Sequence, residues 1–128
     1  MTAQYLKNLQ VPAGKVDVVI DSDTFNEIDE QFAIAYLLAS SDRLCLKALY
    51  AAPFFNSHST SPKDGMEKSH AEMLRLLALT GRQEFVPVTY KGSETYLPAE
   101  DTPVYSQAAQ NLAERAMSYS AQNPLYIV

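Results

Sequence analysis

The chain has 128 residues, a formal net charge of −5 and a sequence isoelectric point near 4.9. This acidic balance argues against a nucleic-acid partner, which calls for a basic face. No apolar run is long enough to cross a bilayer, and the first residues lack the apolar core of a signal peptide. We therefore expect one cytoplasmic domain over residues 1–128, with no membrane partner. The single cysteine, Cys45, excludes an intrachain disulfide and is predicted to be a small core side chain.

Apolar, β-branched runs alternate along the chain with segments of helical periodicity. The predicted strands cover residues 16–22, 45–51, 86–90 and 124–128. Three helices separate them: the first is capped at Asn26, the second opens on a capping box of Asp64 and Glu67, and the third starts near Ser106. This β-α-β-α-β-α-β order is typical of an α/β protein with a doubly wound, mainly parallel, Rossmann-like sheet.

Residues 21–30, at the end of the first predicted strand, include the carboxylates Asp21, Asp23, Asp29 and Glu30. In open α/β sheets, ligands bind at the carboxyl ends of the strands. Like charges held close together raise one another's pKa, so a folded chain keeps such a cluster where a cation, water or proton chemistry compensates it. The oxygen-rich set suits a hard divalent cation, and Ca²⁺ takes about six to eight oxygens in a flexible arrangement.

A structural interpretation of the same acids is also open. Asp29 and Glu30 fall in the first turn of the following helix, where the helix dipole favours negative side chains. With Asn26 as the N-cap, Asp29 would act as its capping-box partner, and Asp21 would cap the end of the strand. On this interpretation the acids order the local structure and bind no ligand.

The loop at residues 52–64 follows the second predicted strand and is rich in serine, proline and asparagine. Asn56 both donates and accepts hydrogen bonds, which suits the hydroxyl pair of a sugar. His58 could carry protons, although a histidine in a polar loop is usually only solvated. We expect one of Phe54 and Phe55 to anchor the loop in the core.

Residues 21–33 read Asp-Ser-Asp-Thr-Phe-Asn-Glu-Ile-Asp-Glu-Gln-Phe-Ala. This stretch resembles the amino-terminal signature of the inosine-uridine preferring nucleoside hydrolases, roughly Asp-Thr-Asp-Pro-Gly-x-Asp-Asp-x-x-Ala. The chain departs from it at Thr24-Phe25, in a turn that is two residues longer, and at Glu30 in place of the second aspartate of the pair. Residues 50–56, 65–69 and 87–92 resemble the family's next strand with its asparagine, its next helix and its third strand, so the resemblance covers nearly the whole chain.

The resemblance implies a nucleoside-hydrolase-like fold that hydrolyses the N-glycosidic bond of ribonucleosides in purine or pyrimidine salvage, with Ca²⁺ as cofactor. Asp23 would be a metal ligand and the general base, and Glu30 a second, chelating ligand. Asp29 and Asn56 would bind the ribose hydroxyls, and Asp21 would lie behind them and orient them through hydrogen bonds. The family's domain is longer than this chain, so we expect a truncated, amino-terminal part of it, and a homo-oligomer.

Two other classes of function remain open. A haloacid-dehalogenase-type phosphatase also begins with an apolar strand and Asp-x-Asp, and would use Asp21 as nucleophile with Mg²⁺. Phe25 and the end of the second strand at Ala51 depart from that pattern. The other class is a nucleoside- or sugar-binding relative without turnover, or an inactive fragment, which Glu30 and the altered turn favour.

Overall fold

Four parallel strands form one sheet in the computed structural model, which describes residues 3–128. In chain order the elements are α1 (Ala3–Asn8), β1 (Val16–Ser22), α2 (Asp29–Ala39), β2 (Leu44–Ala51), α3 (Pro62–Leu79), a 3-10 helix (Gln83–Val88), β3 (Thr89–Lys91), α4 (Gln107–Ala116) and β4 (Tyr126–Ile127). The expected α/β architecture, Rossmann-like in its outline, is confirmed. Among the helices of residues 3–128, none is long and apolar enough to cross a bilayer.

Strand β1 lies inside the sheet, whose order is β3-β2-β1-β4. It pairs in parallel with β2 along its whole length, from Val16 opposite Leu44 to Ser22 opposite Ala51. On its other side it pairs with the short strand β4. The chain adds β2 and β3 on one side of β1 and then returns to place β4 on the other side. The strand order therefore reverses between β1 and β4, and ligands of open α/β sheets bind in the crevice beside such a switch point.

The sheet is covered on both faces. Because successive strand residues point to opposite faces, Val18 and Ile20 of β1 join the core formed with α2 and α3, while Val19 joins a smaller core with α4. Tyr50 of β2 is buried in this second core, and its hydroxyl donates to Asn111 Oδ1 of α4 at 2.9 Å. Packing on both faces fixes β1, so that its carboxyl end is held at a defined place.

Helix α2 starts later than predicted. Its N-cap is Ile28, whose side chain makes no capping hydrogen bond, and the helix begins at Asp29. The prediction of Asn26 as N-cap with Asp29 as capping-box partner is therefore wrong. The Asn26 side chain donates to Asp23 instead.

Two further boundaries differ from the prediction because of proline. Pro62 occupies the start of α3, where its missing N–H is not needed, so Ser61 is the N-cap and its Oγ accepts from the Asp64 amide at 3.1 Å. The predicted capping box starting at Asp64 is wrong.

Pro87 cannot donate to a strand ladder, and β3 begins only at Thr89, after the 3-10 helix. Helix α4 begins at Gln107, after its N-cap Ser106, which confirms the predicted start of the third helix near Ser106.

At the amino ends of β1 and β2, several polar side chains cluster on the sheet face that α2 and α3 do not cover. Asp17 and Cys45 pair in register. Lys47 Nζ lies 3.2 Å from Asp17 Oδ1, and the Tyr119 hydroxyl donates to Asp17 Oδ2 at 2.8 Å. Cys45 is thus half-buried beside polar side chains, and the prediction that it lies in the core is wrong.

Gly65 lets the loop after β2 pass directly over the first turns of α3. A Cβ atom at this position would lie 2.0 Å from the Phe54 carbonyl oxygen. We predict that Gly65→Ala lowers the free energy of unfolding by about 1–3 kcal/mol, because backbone must move to admit the methyl group. Urea denaturation measures the change.

The matched control is Gly14→Ala, since a Cβ at Gly14 meets no atom within 4 Å. This variant should change stability by less than about 0.5 kcal/mol. Equal stability of the Gly65 and Gly14 variants would contradict the close contact between the loop and α3.

Candidate metal and substrate site

Buried hydroxyl groups fix the turn that follows β1. Ser22, the last residue of the strand, and Thr24 are both buried, and their hydroxyl oxygens lie 2.9 Å apart. Asp23 stands between them and is half-buried. Phe25 lies on the outside, with the Lys68 ammonium 5.9 Å from its ring centre. This chain has Thr24 and Phe25 where the signature described above has Pro-Gly. Thr24 holds the turn by a buried contact, and Phe25 holds it by a surface contact.

Asn26 connects this turn to the loop after β2. Its backbone amide donates to the Asp23 carbonyl oxygen at 2.7 Å, and its Nδ2 donates to Asp23 Oδ2 at 2.9 Å. Its Oδ1 accepts from Asn56 Nδ2 at 2.5 Å. Two of the predicted site residues, Asp23 and Asn56, are thus brought together through a third that we did not predict as part of the site.

The loop that carries Asn56 is itself fixed by buried contacts. Phe54 is buried and anchors the loop as expected, whereas Phe55 is exposed. The buried Ser59 Oγ donates to the Phe54 carbonyl oxygen at 3.0 Å and accepts from the Asn56 amide at 3.3 Å. Asn56 therefore projects from an ordered loop, even though its own side chain is exposed.

The other acids gather at the start of α2. One carboxylate oxygen from each of Glu27, Asp29 and Glu30 lies within 4.8 Å of the others. Glu30 is half-buried, and its Oε2 is buried without a hydrogen-bond partner. Burial raises the pKa of Glu30, and the nearby charges of Asp29 and Asp23 raise it further. A hard cation would supply the partner that this oxygen lacks, and the oxygen-only donor set fits Ca²⁺.

Asp21 faces a different space from the other acids. It lines a cavity of about 230 Å³ with Tyr50, Gly92 and Ser106, at the carboxyl ends of the strands and the start of α4. Desolvation raises the pKa of the Asp21 carboxyl group, and the charge of Asp23 adds to the rise. Among residues 3–128 its carboxylate has no side-chain hydrogen bond, so the predicted orienting role stays a prediction.

Two residues of the candidate site were not predicted from the sequence. Glu27 belongs to the acidic cluster at the start of α2, and Asn26 holds Asp23 and Asn56 in place. Glu27 was recognisable as an additional carboxylate inside the lengthened turn. Asn26 was not, because asparagine is equally typical of helix N-caps.

The chain is an α/β protein whose acidic, oxygen-rich site lies in the loops that follow β1 and β2 of a parallel sheet. Comparison of the chain with protein-family models, curated proteins and solved structures found no match.

The raised pKa of Glu30 predicts how stability depends on pH. The unfolded carboxyl ionises near its ordinary pKa of 4.5, whereas the folded one holds its proton to higher pH, so ionisation at neutral pH destabilises the fold. Glu30→Gln should raise the urea midpoint at pH 7 in the absence of divalent cations. Below about pH 4 the wild-type group is protonated in both states, and the difference should vanish.

Glu100→Gln serves as the control, since Glu100 is exposed in a loop. It should leave the midpoint nearly unchanged at both pH values. A lower midpoint for Glu30→Gln at pH 7, or a gain of equal size in acid, would show that Glu30 is not held in the folded state at an electrostatic cost.

Proposed function

We propose that this protein hydrolyses the N-glycosidic bond of ribonucleosides, in a nucleoside-hydrolase-like site that uses Ca²⁺. One observation carries the proposal: Asp23 and Asn56 are joined through Asn26, and Asp23 is near enough to Glu30 for its charge to raise the pKa of Glu30. This arrangement combines a base, a sugar-binding amide and a set of cation ligands at one edge of the sheet. The resemblance of residues 21–33 to the nucleoside hydrolases supports the same chemistry.

The donor set is suited to a calcium ion. Asp23 and Glu30 would hold it, and the unpartnered Oε2 of Glu30 is the oxygen most in need of a cation. Glu27 stands close enough to Glu30 to contribute a further oxygen. Bound Ca²⁺ would polarise a water molecule and ease the loss of its proton at neutral pH.

Asp23 is the residue that receives this proton. Its Oδ2 accepts from Asn26, so the carboxylate is fixed in orientation while Oδ1 remains available to water. The water oxygen attacks C1′ of the ribose as the bond to the base breaks, through a transition state with positive charge on the sugar. The negative charges of Asp23 and its acidic neighbours stabilise that developing charge.

Asn56 and Asp29 are the candidates for binding the ribose hydroxyls. The Asn56 side chain uses one Nδ2 hydrogen on Asn26 and one Oδ1 lone pair on the amide of His58. It keeps a second hydrogen and a second lone pair, which match the acceptor and donor of adjacent hydroxyl groups. Asp29 is exposed and can accept from a hydroxyl. We further propose that the enzyme is cytoplasmic, acts in nucleoside salvage and forms a homo-oligomer.

Replacement of Asp23 tests the proposal most simply. Asp23→Asn removes the base while it preserves the size of the side chain, and it should lower the rate of ribose release from inosine or uridine by about 10²–10⁴. A reducing-sugar assay in the presence of Ca²⁺ measures the rate. Asp42→Asn, an exposed acid in the turn between α2 and β2, should retain wild-type activity.

Full activity of the Asp23 variant would contradict its assignment as the base. If the wild-type protein binds ribose or nucleosides but releases no ribose, the alternative of a binding protein without turnover is correct.

Calcium should also stabilise the fold if Asp23 and Glu30 hold it. At a hundredfold excess over the dissociation constant, binding adds about 2.7 kcal/mol, which raises the unfolding temperature of a domain of this size by several degrees. Differential scanning fluorimetry with and without Ca²⁺ measures this shift. Glu30→Gln should abolish most of it, and Glu100→Gln should preserve it. A shift of equal size in both variants would place the ion elsewhere.

A further inference from the structure

The face of α2 that points away from the core is apolar. Ile28, Phe32 and Tyr36 follow one another at intervals of four residues, and they are 66%, 67% and 69% exposed. We call these three side chains the outer α2 face. Residues 32–39 include no charged or amide side chain, although only the inner side of the helix joins the core. A helix that is apolar all round is normally buried, so the outer α2 face is suited to a partner surface.

The apolar surface continues beyond the carboxyl end of α2. There Tyr36 lines a groove of about 430 Å³ together with Val11 and Pro12, and Val11 is 91% exposed. Ile28 lies at the opposite end of the helix. The surface therefore has an exposed aliphatic side chain at one end and an apolar groove at the other. A second copy of the same surface, turned end for end, matches it, which is the property of a two-fold symmetric interface.

The two ends of α2 also differ in charge. The acidic cluster described above lies at the start of the helix. At the other end, the Val16 amide donates to the Arg43 carbonyl oxygen at 3.0 Å, which places Lys15 beside Arg43. Asp42 is the neighbouring acid, so the two cations leave this end with a net positive charge. Within residues 3–128, neither Lys15 nor Arg43 forms an ion pair, and both are exposed.

We propose that the outer α2 face is the contact between two copies of this chain, whose α2 helices pack antiparallel across a two-fold axis. Phe32 lies at the axis and meets its counterpart, and Ile28 of each copy enters the groove beside Tyr36 of the other. The positive end of each helix then lies against the acidic start of the other. Parallel helices would instead place like charges together, at a cost of several kcal/mol.

This inference rests on the homo-oligomer of the proposed function and is independent of the reaction. Sedimentation equilibrium of the wild-type chain should show a reversible equilibrium between monomer and dimer. Phe32→Glu places two carboxylates against each other at the axis and should raise the dissociation constant of the dimer about a hundredfold. Met117→Glu is the matched control, since Met117 is 87% exposed and follows α4 on the other face of the sheet. It should change the constant by less than about threefold.

Reversal of charge tests the antiparallel arrangement, and decides the matter even if Phe32→Glu does not fold. Arg43→Glu should raise the dissociation constant about tenfold, because it places a carboxylate against the acidic start of the other helix. Addition of Glu27→Lys should restore the wild-type constant to within about threefold, since the pair is then re-formed with its charges exchanged. Addition of Glu100→Lys gives the same net charge at an exposed acid outside α2, and should not restore it.

A dimer that is lost in Phe32→Glu or Arg43→Glu and rescued by Glu27→Lys supports the proposal. A dimer that persists in folded Phe32→Glu, an equal effect of Met117→Glu, or equal rescue by Glu100→Lys overturns it and leaves the homo-oligomer to another surface. A wild-type chain that stays monomeric overturns both the interface and the proposed homo-oligomer. None of these results bears on hydrolysis, which the assay of ribose release decides separately.

Discussion

The repulsion among the carboxylates at the end of β1 is the constraint on which the site depends. The end of β1, the turn after it and the first turn of α2 hold five acids: Asp21, Asp23, Glu27, Asp29 and Glu30. The positive end of the α2 dipole offsets part of this cost. Burial raises the pKa of Asp21 and of Glu30, and the charges of neighbouring acids raise both further. A bound cation, as the proposed function requires, would offset this cost.

The chain cannot relieve this repulsion by moving the strand. The Asp21 amide donates to the Val128 carbonyl oxygen at 2.9 Å, and the Ser22 carbonyl oxygen accepts from the Ala52 amide at 2.9 Å. The carboxyl end of β1 is thus bonded on both sides, and both faces of the sheet are packed. The close contact of Gly65 in α3 with the loop after β2 likewise holds that loop in place. Packed elements therefore position the acids, and Asn26 joins the two loops that hold the proposed site residues.

The pattern of residues was sufficient to predict β1 over residues 16–22, because a β-branched, apolar run followed by helical spacing is typical of a buried strand that leads into a helix. The Ser106 cap of α4 was equally predictable, since the serine precedes an alanine-rich helical segment. The third strand was predicted too early because its apolar residues at 85–88 fit a strand as well as a 3-10 helix.

The role of Asn26 was not predictable from the sequence. Its partner Asn56 lies 30 residues away along the chain, and local preference alone assigns such an asparagine to a helix cap. The clustering of Glu27, Asp29 and Glu30 depends on where α2 begins. The capping pattern predicted that start at the wrong residue. Long-range contacts of this kind are set by the packing of the loops, and no local pattern encodes them.

NMR can test whether the carboxylates after β1 bind Ca²⁺. All divalent cations are first removed from the ¹⁵N-labelled protein, and Ca²⁺ is then titrated in while ¹H–¹⁵N correlation spectra are recorded. We expect saturable shifts concentrated in the amides of residues 23–30 and 56–58, because Asn26 would transmit cation binding at Asp23 and Glu30 to the loop after β2. Small, non-saturating shifts spread over the acidic surface would contradict it, and would leave the carboxylates at the end of β1 without a ligand.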